Sequence, residues 1–232
     1  MRVLVGTSGY SYKEWKGSFY PEDLPAAEML RYYAGRLTAV EINNTFYRMP
    51  SEKLLSGWAG QVPESFRFAL KASQQITHRL RLKEAGEPVS YFFSVAATLG
   101  ERLGPVLFQL PPNLKKDLPR LESFLALLPP GSRSAFEFRH ASWFEADVFE
   151  ALRCRGAALC IAEDEDLVTP LEATADWGYL RLRRQDYVES DIAAWAEKIR
   201  ARPWSEAYVF FKHEEAGAGP RLAAQLLTIL SA

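Results

Sequence analysis

The chain has 232 residues, of which 48% are hydrophobic and 25% are charged, proportions typical of a globular protein with a full core. This length fits one barrel-sized domain or two small ones. The formal net charge of −1 excludes a global electrostatic attraction to nucleic acid or membranes, while a local basic patch stays open. Function is therefore expected to depend on local groups of residues.

The N-terminus and the cysteines bear on the cellular compartment. Residues 1–6 are predicted to begin a strand, because no long apolar run with a small-residue cleavage site follows, as a signal peptide requires. No apolar run reaches the ~18 residues of a membrane span. Cys154 and Cys160 form no Cys-x-x-Cys pair and indicate no disulfide framework. We expect two buried, reduced thiols, a cytoplasmic location and no membrane partner, with the oligomeric state left open.

Short β-rich runs alternate with amphipathic helical patterns along the whole chain. Alternation without a long strand-only block favours a parallel sheet, and eight such units predict one (β/α)8 TIM-type barrel domain over residues 1–232. Only about a dozen residues separate Asp164 from Trp177, so the sixth helix is expected to be short or irregular. The predicted strands are Val3–Gly6, Ala39–Asn43, Phe66–Lys71, Val106–Leu110, Ala135–Arg139, Ala158–Ala162, Tyr179–Arg183 and Tyr208–Lys212. The predicted helices are Ala26–Arg36, Glu52–Gly60, Tyr91–Leu99, Leu118–Leu128, Ala146–Arg155, Asp191–Ala201 and Arg221–Leu230.

Alternation within several strands separates a large apolar face from a face that carries charges. On the second predicted strand Val40 and Ile42 share one face and Glu41 lies on the other. We expect the apolar faces to pack against helices and the charged faces to point into the upper barrel, where the active sites of such barrels lie. The residues expected to converge there are Glu41, Lys71, Glu137, Arg139, Arg181 and Arg183, joined by Gln109 and Asp164.

Cations outnumber carboxylates in this set, even when Asp164 is counted. Burying an unpaired charge costs several kcal/mol, so these groups either pair with one another or receive a ligand. Arginine binds phosphates and carboxylates through two parallel hydrogen bonds, and the set therefore predicts a site for an anion. A purely structural ion-pair network is the alternative interpretation.

Individual residues suggest roles in such a site. Glu41 and Glu137 are candidate general acids or bases, since burial raises a carboxyl pKa and a neighbouring Lys or Arg lowers it. Lys71 is either an anion ligand or, with a depressed pKa, a lysine able to form a Schiff base. His140 follows the Glu-x-Arg pair, and histidine is a common acid–base residue in active sites. The predicted catalytic residues are Glu41, Glu137, His140 and Asp164, and the predicted substrate-binding residues are Tyr10, Trp15, Asn43, Lys71, His78, Gln109, Arg139, Arg181, Arg183 and Lys212.

Two further features of the sequence bear on ligand binding. Aromatic residues that include Tyr10 and Trp15 follow the first strand, and they either stack a sugar or base as a lid or form a hydrophobic plug. A metal site needs histidines and carboxylates with few cations nearby, so the interior cations disfavour a divalent metal. No cofactor is predicted, and a metal is left open as the weaker alternative.

Several motifs together resemble one known family. They are Gly6-Thr7-Ser8-Gly9-Tyr10 with Trp15, Val40-Glu41-Ile42-Asn43-Asn44-Thr45-Phe46-Tyr47, Ile76-Thr77-His78, Leu107-Phe108-Gln109-Leu110-Pro111-Pro112 and Glu137-Phe138-Arg139-His140 with Trp143. In this order they resemble the YecE-like family, also called DUF72, over nearly the whole chain. The resemblance implies a TIM-type barrel and supplies no activity, because the function of the family is unknown. Family barrels are similar to those of endonuclease IV and xylose isomerase, which implies a nucleic-acid-binding or phosphodiesterase alternative.

The chain departs from the family pattern at the end of the barrel. Arg181-Leu182 is followed by Arg183-Arg184 where the family usually has His-Gly, and the eighth strand ends in Lys212-His213 where the family has Asn-Asn. These changes make the mouth more cationic. The first hypothesis is an enzyme that acts without metal on a phosphorylated or carboxylated small molecule. A nucleic-acid-binding or nuclease-like barrel and a non-catalytic binding module are the alternatives.

Overall fold

Eight parallel strands form a closed barrel in the computed structural model, which describes residues 1–163, 167–213 and 215–231. Each strand pairs with its sequence neighbours, and the last strand closes the ring against the first. The predicted (β/α)8 TIM-type fold is confirmed. The strands are β1 (Arg2–Ser8), β2 (Ala39–Ile42), β3 (Arg67–Lys71), β4 (Leu103–Gln109), β5 (Ser134–Glu137), β6 (Ala158–Glu163), β7 (Trp177–Leu182) and β8 (Glu206–Phe211).

Helices surround the barrel, and two of them begin with a side-chain cap. The Ser51 hydroxyl accepts a hydrogen bond from the Leu54 amide at 3.3 Å, and Asp117 accepts one from the Arg120 amide at 3.1 Å. Residues 167–176, the described part of the β6–β7 connection, contain no helix, as the short spacing predicted. The α-helices are α1 (Met29–Ala34), α2 (Asn44–Tyr47), α3 (Glu52–Ala59), α4 (Gly86–Ala96), α5 (Leu118–Leu125), α6 (Ala146–Arg153), α7 (Glu189–Arg200) and α8 (Ala218–Ser231).

The two cysteines are free thiols in different environments. Cys160 is buried in β6, as expected, whereas the expectation of a buried Cys154 is wrong, because Cys154 follows the last turn of α6 and is exposed. Within the described residues, no helix combines the length and apolar character needed to cross a membrane.

Two apolar clusters show which face of each strand points inward. Val40 and Phe68 belong to the outer cluster, which the strands share with helix residues such as Leu55. Ala39 and Ala69, their sequence neighbours, belong to the cluster inside the barrel. This confirms the predicted alternation. The inner cluster fills the barrel below the charged residues, so those residues rest on a packed apolar base.

Strands β1 and β2 approach each other closely at Gly6. A Cβ atom at this position would lie 1.8 Å from the backbone oxygen of Ala39 and 2.9 Å from the Tyr33 hydroxyl. A backbone oxygen in a barrel strand cannot move without shifting the strand. Glu41 lies two residues beyond Ala39, so this contact also fixes the height of Glu41 in the barrel.

We predict that Gly6→Ala lowers the free energy of unfolding by about 1–3 kcal/mol or more, because the added methyl group overpacks the β1–β2 interface. Gly57→Ala is the matched control, since a Cβ at Gly57 in α3 meets nothing within 4 Å. Alanine there is expected to stabilise the protein by about 0.5–1 kcal/mol. Urea unfolding of both variants measures these effects, and equal stabilities of the two would contradict the close approach.

Candidate functional site at the mouth of the barrel

Arg181 links two buried carboxylates near the C-terminal ends of the strands. Its Nη2 donates a hydrogen bond to Glu41 Oε1 at 2.8 Å, and its Nη1 donates one to Glu137 Oε2 at 2.6 Å. Arg181 is 3% exposed, Glu137 1% and Glu41 0%. Strands β2, β5 and β7 are therefore tied together across the barrel. We call these three residues and their side-chain partners the Arg181 network.

Glu41 is held by further donors. The Tyr179 hydroxyl donates to Oε2 at 2.7 Å, and the Ser8 hydroxyl donates to Oε1. Asn43 Nδ2 in turn donates to the Ser8 hydroxyl at 2.7 Å. Burial raises the pKa of Glu41, but the Arg181 charge and the hydrogen bonds outweigh burial and lower the pKa below its ordinary value of 4.5. Glu41 is therefore ionised at neutral pH.

Glu137 is held in the same way by two arginines and an amide. Arg183 Nη2 donates to Oε1, and Gln109 Nε2 donates to the same oxygen at 2.9 Å. Burial opposes ionisation, but the charges of Arg181 and Arg183 prevail and hold the pKa of Glu137 well below 4.5. The sequence does not determine whether burial or the neighbouring cations control the pKa of Glu137. In the structure the arginines do. A carboxylate that is held ionised accepts a proton poorly at neutral pH. Glu137 is therefore better suited to hold the two arginines in place than to act as a general acid or base.

Lys71 at the end of β3 has a different environment. Its Nζ donates a hydrogen bond to Gln109 Oε1 at 2.8 Å and lies 4.1 Å from the centre of the Phe46 ring. Burial and then the charge of Arg181 lower the pKa of Lys71 to about 8, against weaker opposing effects of Glu41 and Glu137. Lys71 is therefore partly neutral in the physiological pH range.

A cavity of about 780 Å³ opens above the Arg181 network. Five basic residues and one acidic residue are among the described residues of its wall. Glu41 and Glu137 lie beneath the wall and do not line it. The lining residues are Ser8, Tyr12, Asn43, Tyr47, Lys71, Gln109, Arg139, Arg181, Arg183, Gln185, Lys212, His213, Glu215 and Ala218.

Most residues predicted to bind substrate line this cavity. They are Asn43, Lys71, Gln109, Arg139, Arg181, Arg183 and Lys212. Arg139 follows the end of β5 and is exposed at the rim rather than enclosed in the barrel. Asp164, a predicted catalytic residue, lies outside the described residues.

The structure does not bring the predicted aromatic residues to the cavity wall. Trp15 is 1% exposed and packs against Tyr12 and Phe19, with ring centroids 4.7 Å and 5.8 Å away. Tyr10 packs against Tyr33, with ring centroids 6.2 Å apart, and against the outer apolar cluster, which places it in the layer between barrel and helices. The hydrophobic-plug interpretation therefore fits Trp15 better than a lid.

The two predicted histidines also lie outside the wall. His78 Nδ1 hydrogen-bonds with the Thr77 hydroxyl at 2.9 Å, and its ring meets the Phe46 ring edge-on at 4.9 Å. His140 Nδ1 accepts a hydrogen bond from the Ser142 amide at 3.1 Å and so caps the short 3-10 helix Ala141–Trp143. Each ring is engaged in local structure.

Sequence reasoning missed several residues of the site. Gln185 and Glu215 lie beyond the ends of β7 and β8, where no alternation predicts the direction of a side chain. Tyr12, from the aromatic segment after β1, also lines the wall. Tyr179 could have been found, because it shares the inward face of β7 with Arg181. His213 lines the cavity, and its Nε2 donates to the Arg184 carbonyl at 2.7 Å.

Groups with metal-ligand chemistry are scarce near this cavity. Across the described ranges, no cluster of three or more His, Cys, Asp or Glu residues could hold a metal ion. The wall instead concentrates guanidinium and ammonium groups, which repel a divalent cation.

Comparison with known proteins identifies the family. The model of a family described as a protein of unknown function, DUF72, matches residues 4–232. The chain belongs to the DUF72 family. YecE of Escherichia coli (strain K12) is 31% identical over 155 residues, which are 66% of this chain and 54% of YecE. The chain thus aligns with about half the length of the curated relatives it matches.

Crystal structures of DUF72 proteins share this barrel. A DUF72 protein from Thermotoga maritima is 29% identical and superposes with a TM-score of 0.89 over 100% of both chains. One from Enterococcus faecalis, at 19% identity, covers 99% of this chain and 96% of its own with a TM-score of 0.83, a likeness of fold alone. The family and its barrel are therefore established for this chain.

We predict that Glu137→Gln destabilises this DUF72 barrel by about 3–5 kcal/mol at pH 7, because Arg181 and Arg183 lose a buried counter-charge. Folding lowers the pKa of Glu137 below 4.5, so its ionised form stabilises the fold above pH 4.5 and this contribution is lost as the pH falls further. The difference between wild type and variant should therefore shrink between pH 5 and pH 3.

Urea unfolding at a series of pH values measures this difference. Glu122→Gln, at an exposed position of α5, is the matched control and should unfold like the wild type throughout. A stability difference for Glu137→Gln that stays constant down to pH 3 would contradict the ion pairing.

Proposed function

We propose that the cavity at the mouth of the barrel binds a small molecule that carries a phosphate or carboxylate group. The observation that carries this proposal is the distribution of charge: five basic residues line the wall, whereas the carboxylates of Glu41 and Glu137 lie buried beneath it. A ligand entering the cavity therefore meets cations before it meets carboxylates.

The lysines of the wall strengthen this argument. Lys71 and Lys212 form no salt bridge with any residue in the described part of the chain. Lys71 Nζ donates to the neutral amide of Gln109, and Lys212 is exposed. An anionic ligand would supply, through charge-assisted hydrogen bonds, the counter-charge that these ammonium groups do not find among the described residues.

The remaining wall suits the organic part of such a ligand. Tyr12 and Tyr47 offer aromatic surface, and Asn43 and Gln185 offer amide donors and acceptors. A cavity of about 780 Å³ lies within the range of about 300–1,000 Å³ that small-molecule sites occupy. The position at the C-terminal ends of the strands matches the usual place of function in this fold. We infer a phosphorylated or carboxylated metabolite of sugar-like size, transformed without metal.

We predict that phosphosugars or dicarboxylates raise the melting temperature by several degrees. A ligand at 100 times its Kd adds about 2.7 kcal/mol of stability. Lys212→Gln should weaken binding about tenfold, or about 1.4 kcal/mol, because one charge-assisted contact is lost. Lys53→Gln, on the exposed surface of α3 and outside the cavity wall, is the matched control and should bind like the wild type.

The same thermal-shift assay separates the alternatives. A short single-stranded oligonucleotide serves as the competing probe, since its affinity would fall steeply with salt. Stabilisation by the oligonucleotide alone would refute the small-molecule proposal in favour of nucleic-acid binding. Stabilisation by no anion at all would refute both.

A further inference from the structure

Lys71 differs chemically from the other cations of the cavity wall. Arg139, Arg181 and Arg183 carry guanidinium groups, which stay protonated in proteins. Lys212 is exposed, where water solvates its ammonium group, whereas Lys71 is partly buried above the Arg181 network. Lys71 is therefore the wall residue with the chemistry of a primary amine in a sheltered position.

We propose that Lys71 forms a Schiff base with a carbonyl compound that also carries a phosphate or carboxylate group. This inference rests on the proposed function and names the substrate class of the same cavity. The anionic group would be held by the surrounding cations, and the carbonyl carbon would lie against Lys71 Nζ. The neutral hydrogen-bond partner and the position of Nζ in the wall carry the argument.

Gln109 fixes the direction of the amine. Its Nε2 donates to Glu137, so its Oε1 is turned toward Lys71 and accepts one hydrogen from Nζ at 2.8 Å. A neutral amine has two hydrogens and one lone pair. With one hydrogen directed to Gln109, the lone pair and the other hydrogen remain for the cavity. A carboxylate partner would instead hold the amine as an ammonium ion.

The charges around Lys71 favour the neutral amine. Burial and the Arg181 charge lower its pKa to about 8, and Arg183 acts in the same direction. Glu41 and Glu137 oppose this effect, and the Phe46 face also favours the ammonium form. The two carboxylates, however, are already bound by arginine. Enzymes that form Schiff bases activate lysine in this manner, by desolvation or by a neighbouring cation.

The reaction balances without a cofactor. The lone pair of Nζ attacks the carbonyl carbon, a C–N bond forms, and the carbonyl π electrons move to oxygen. A proton passes from nitrogen to that oxygen through water in the open cavity and gives a carbinolamine. A second proton, taken from solvent water in the open cavity, protonates this hydroxyl group. The group leaves as water while the nitrogen lone pair forms the C=N double bond, which leaves an iminium ion on Lys71. This cation withdraws electrons from the neighbouring carbon, as lyase and isomerase chemistry requires.

We predict that pyridoxal 5′-phosphate, an aldehyde with a phosphate group, modifies Lys71 selectively at pH 7.5. The neutral fraction of an amine with a pKa near 8 exceeds that of an ordinary lysine on the order of a hundredfold at this pH. Borohydride reduction and peptide mass spectrometry should find one adduct per chain at Lys71. Lys71→Arg should lose this adduct, whereas Lys53→Arg should keep it, and inorganic phosphate should slow labelling of the wild type.

The outcomes separate this inference from the proposed function. Thermal stabilisation by phosphosugars together with labelling spread over surface lysines would overturn the Schiff base and leave anion binding intact. Selective labelling of Lys71 that phosphate does not slow would overturn the anionic substrate class. If Lys71→Arg melts far below the wild type, the pH dependence of the wild-type labelling rate tests the proposal instead. A rate that levels off above about pH 8 supports the proposal, and one that keeps rising toward pH 10 contradicts it.

Discussion

The two hydrogen-bonded ion pairs of Arg181 are the interaction on which the mouth of this barrel depends. Glu41 and Glu137 reach the centre from different strands, and each is sealed from water. Without a cation between them, two carboxylates would be buried together, at a cost of several kcal/mol for each. Arg181 offsets this cost with both of its terminal nitrogens. The closure of the barrel in turn fixes the position of Arg181, because it brings the inner face of β7 opposite the inner faces of β2 and β5.

The rest of the site follows from the way the network uses its hydrogen-bond capacity. Both oxygens of Glu137 are occupied, Oε2 by Arg181 and Oε1 by Arg183 and Gln109. The amide of Gln109 then has one orientation, in which its oxygen faces Lys71. Lys71 is thus left near two carboxylates that are already paired with arginine, and its own hydrogen bond goes to a neutral amide. An anionic ligand would supply a counter-charge at this position.

The strand-borne part of the site could be predicted from the sequence, and the loop-borne part could not. Side-chain direction in a strand is a local property, so alternation alone placed Glu41, Lys71 and Arg181 inside the barrel. In the structure Glu41 and Arg181 form a buried ion pair, and Lys71 lies in the cavity wall above it. Beyond a strand end the direction depends on tertiary contacts: His140 turned into a helix cap, and Trp15 turned into an aromatic plug. The alternation of residues in the sequence does not show whether such a loop side chain packs locally or points into the mouth of the barrel.

Arg183, which stands where the family pattern usually has histidine, affects the chemistry of the Lys71 amine. The pattern usually has histidine at this position, a shorter side chain whose charge depends on pH. Here a permanent guanidinium group donates to Glu137 and lowers the pKa of Lys71 through its charge. A neutral histidine would remove that charge and leave Glu137 Oε1 less fully used, so both effects would favour the ammonium form of Lys71. In the proposed Schiff-base chemistry, the arginine that makes this mouth more cationic would therefore also favour the neutral, nucleophilic form of Lys71.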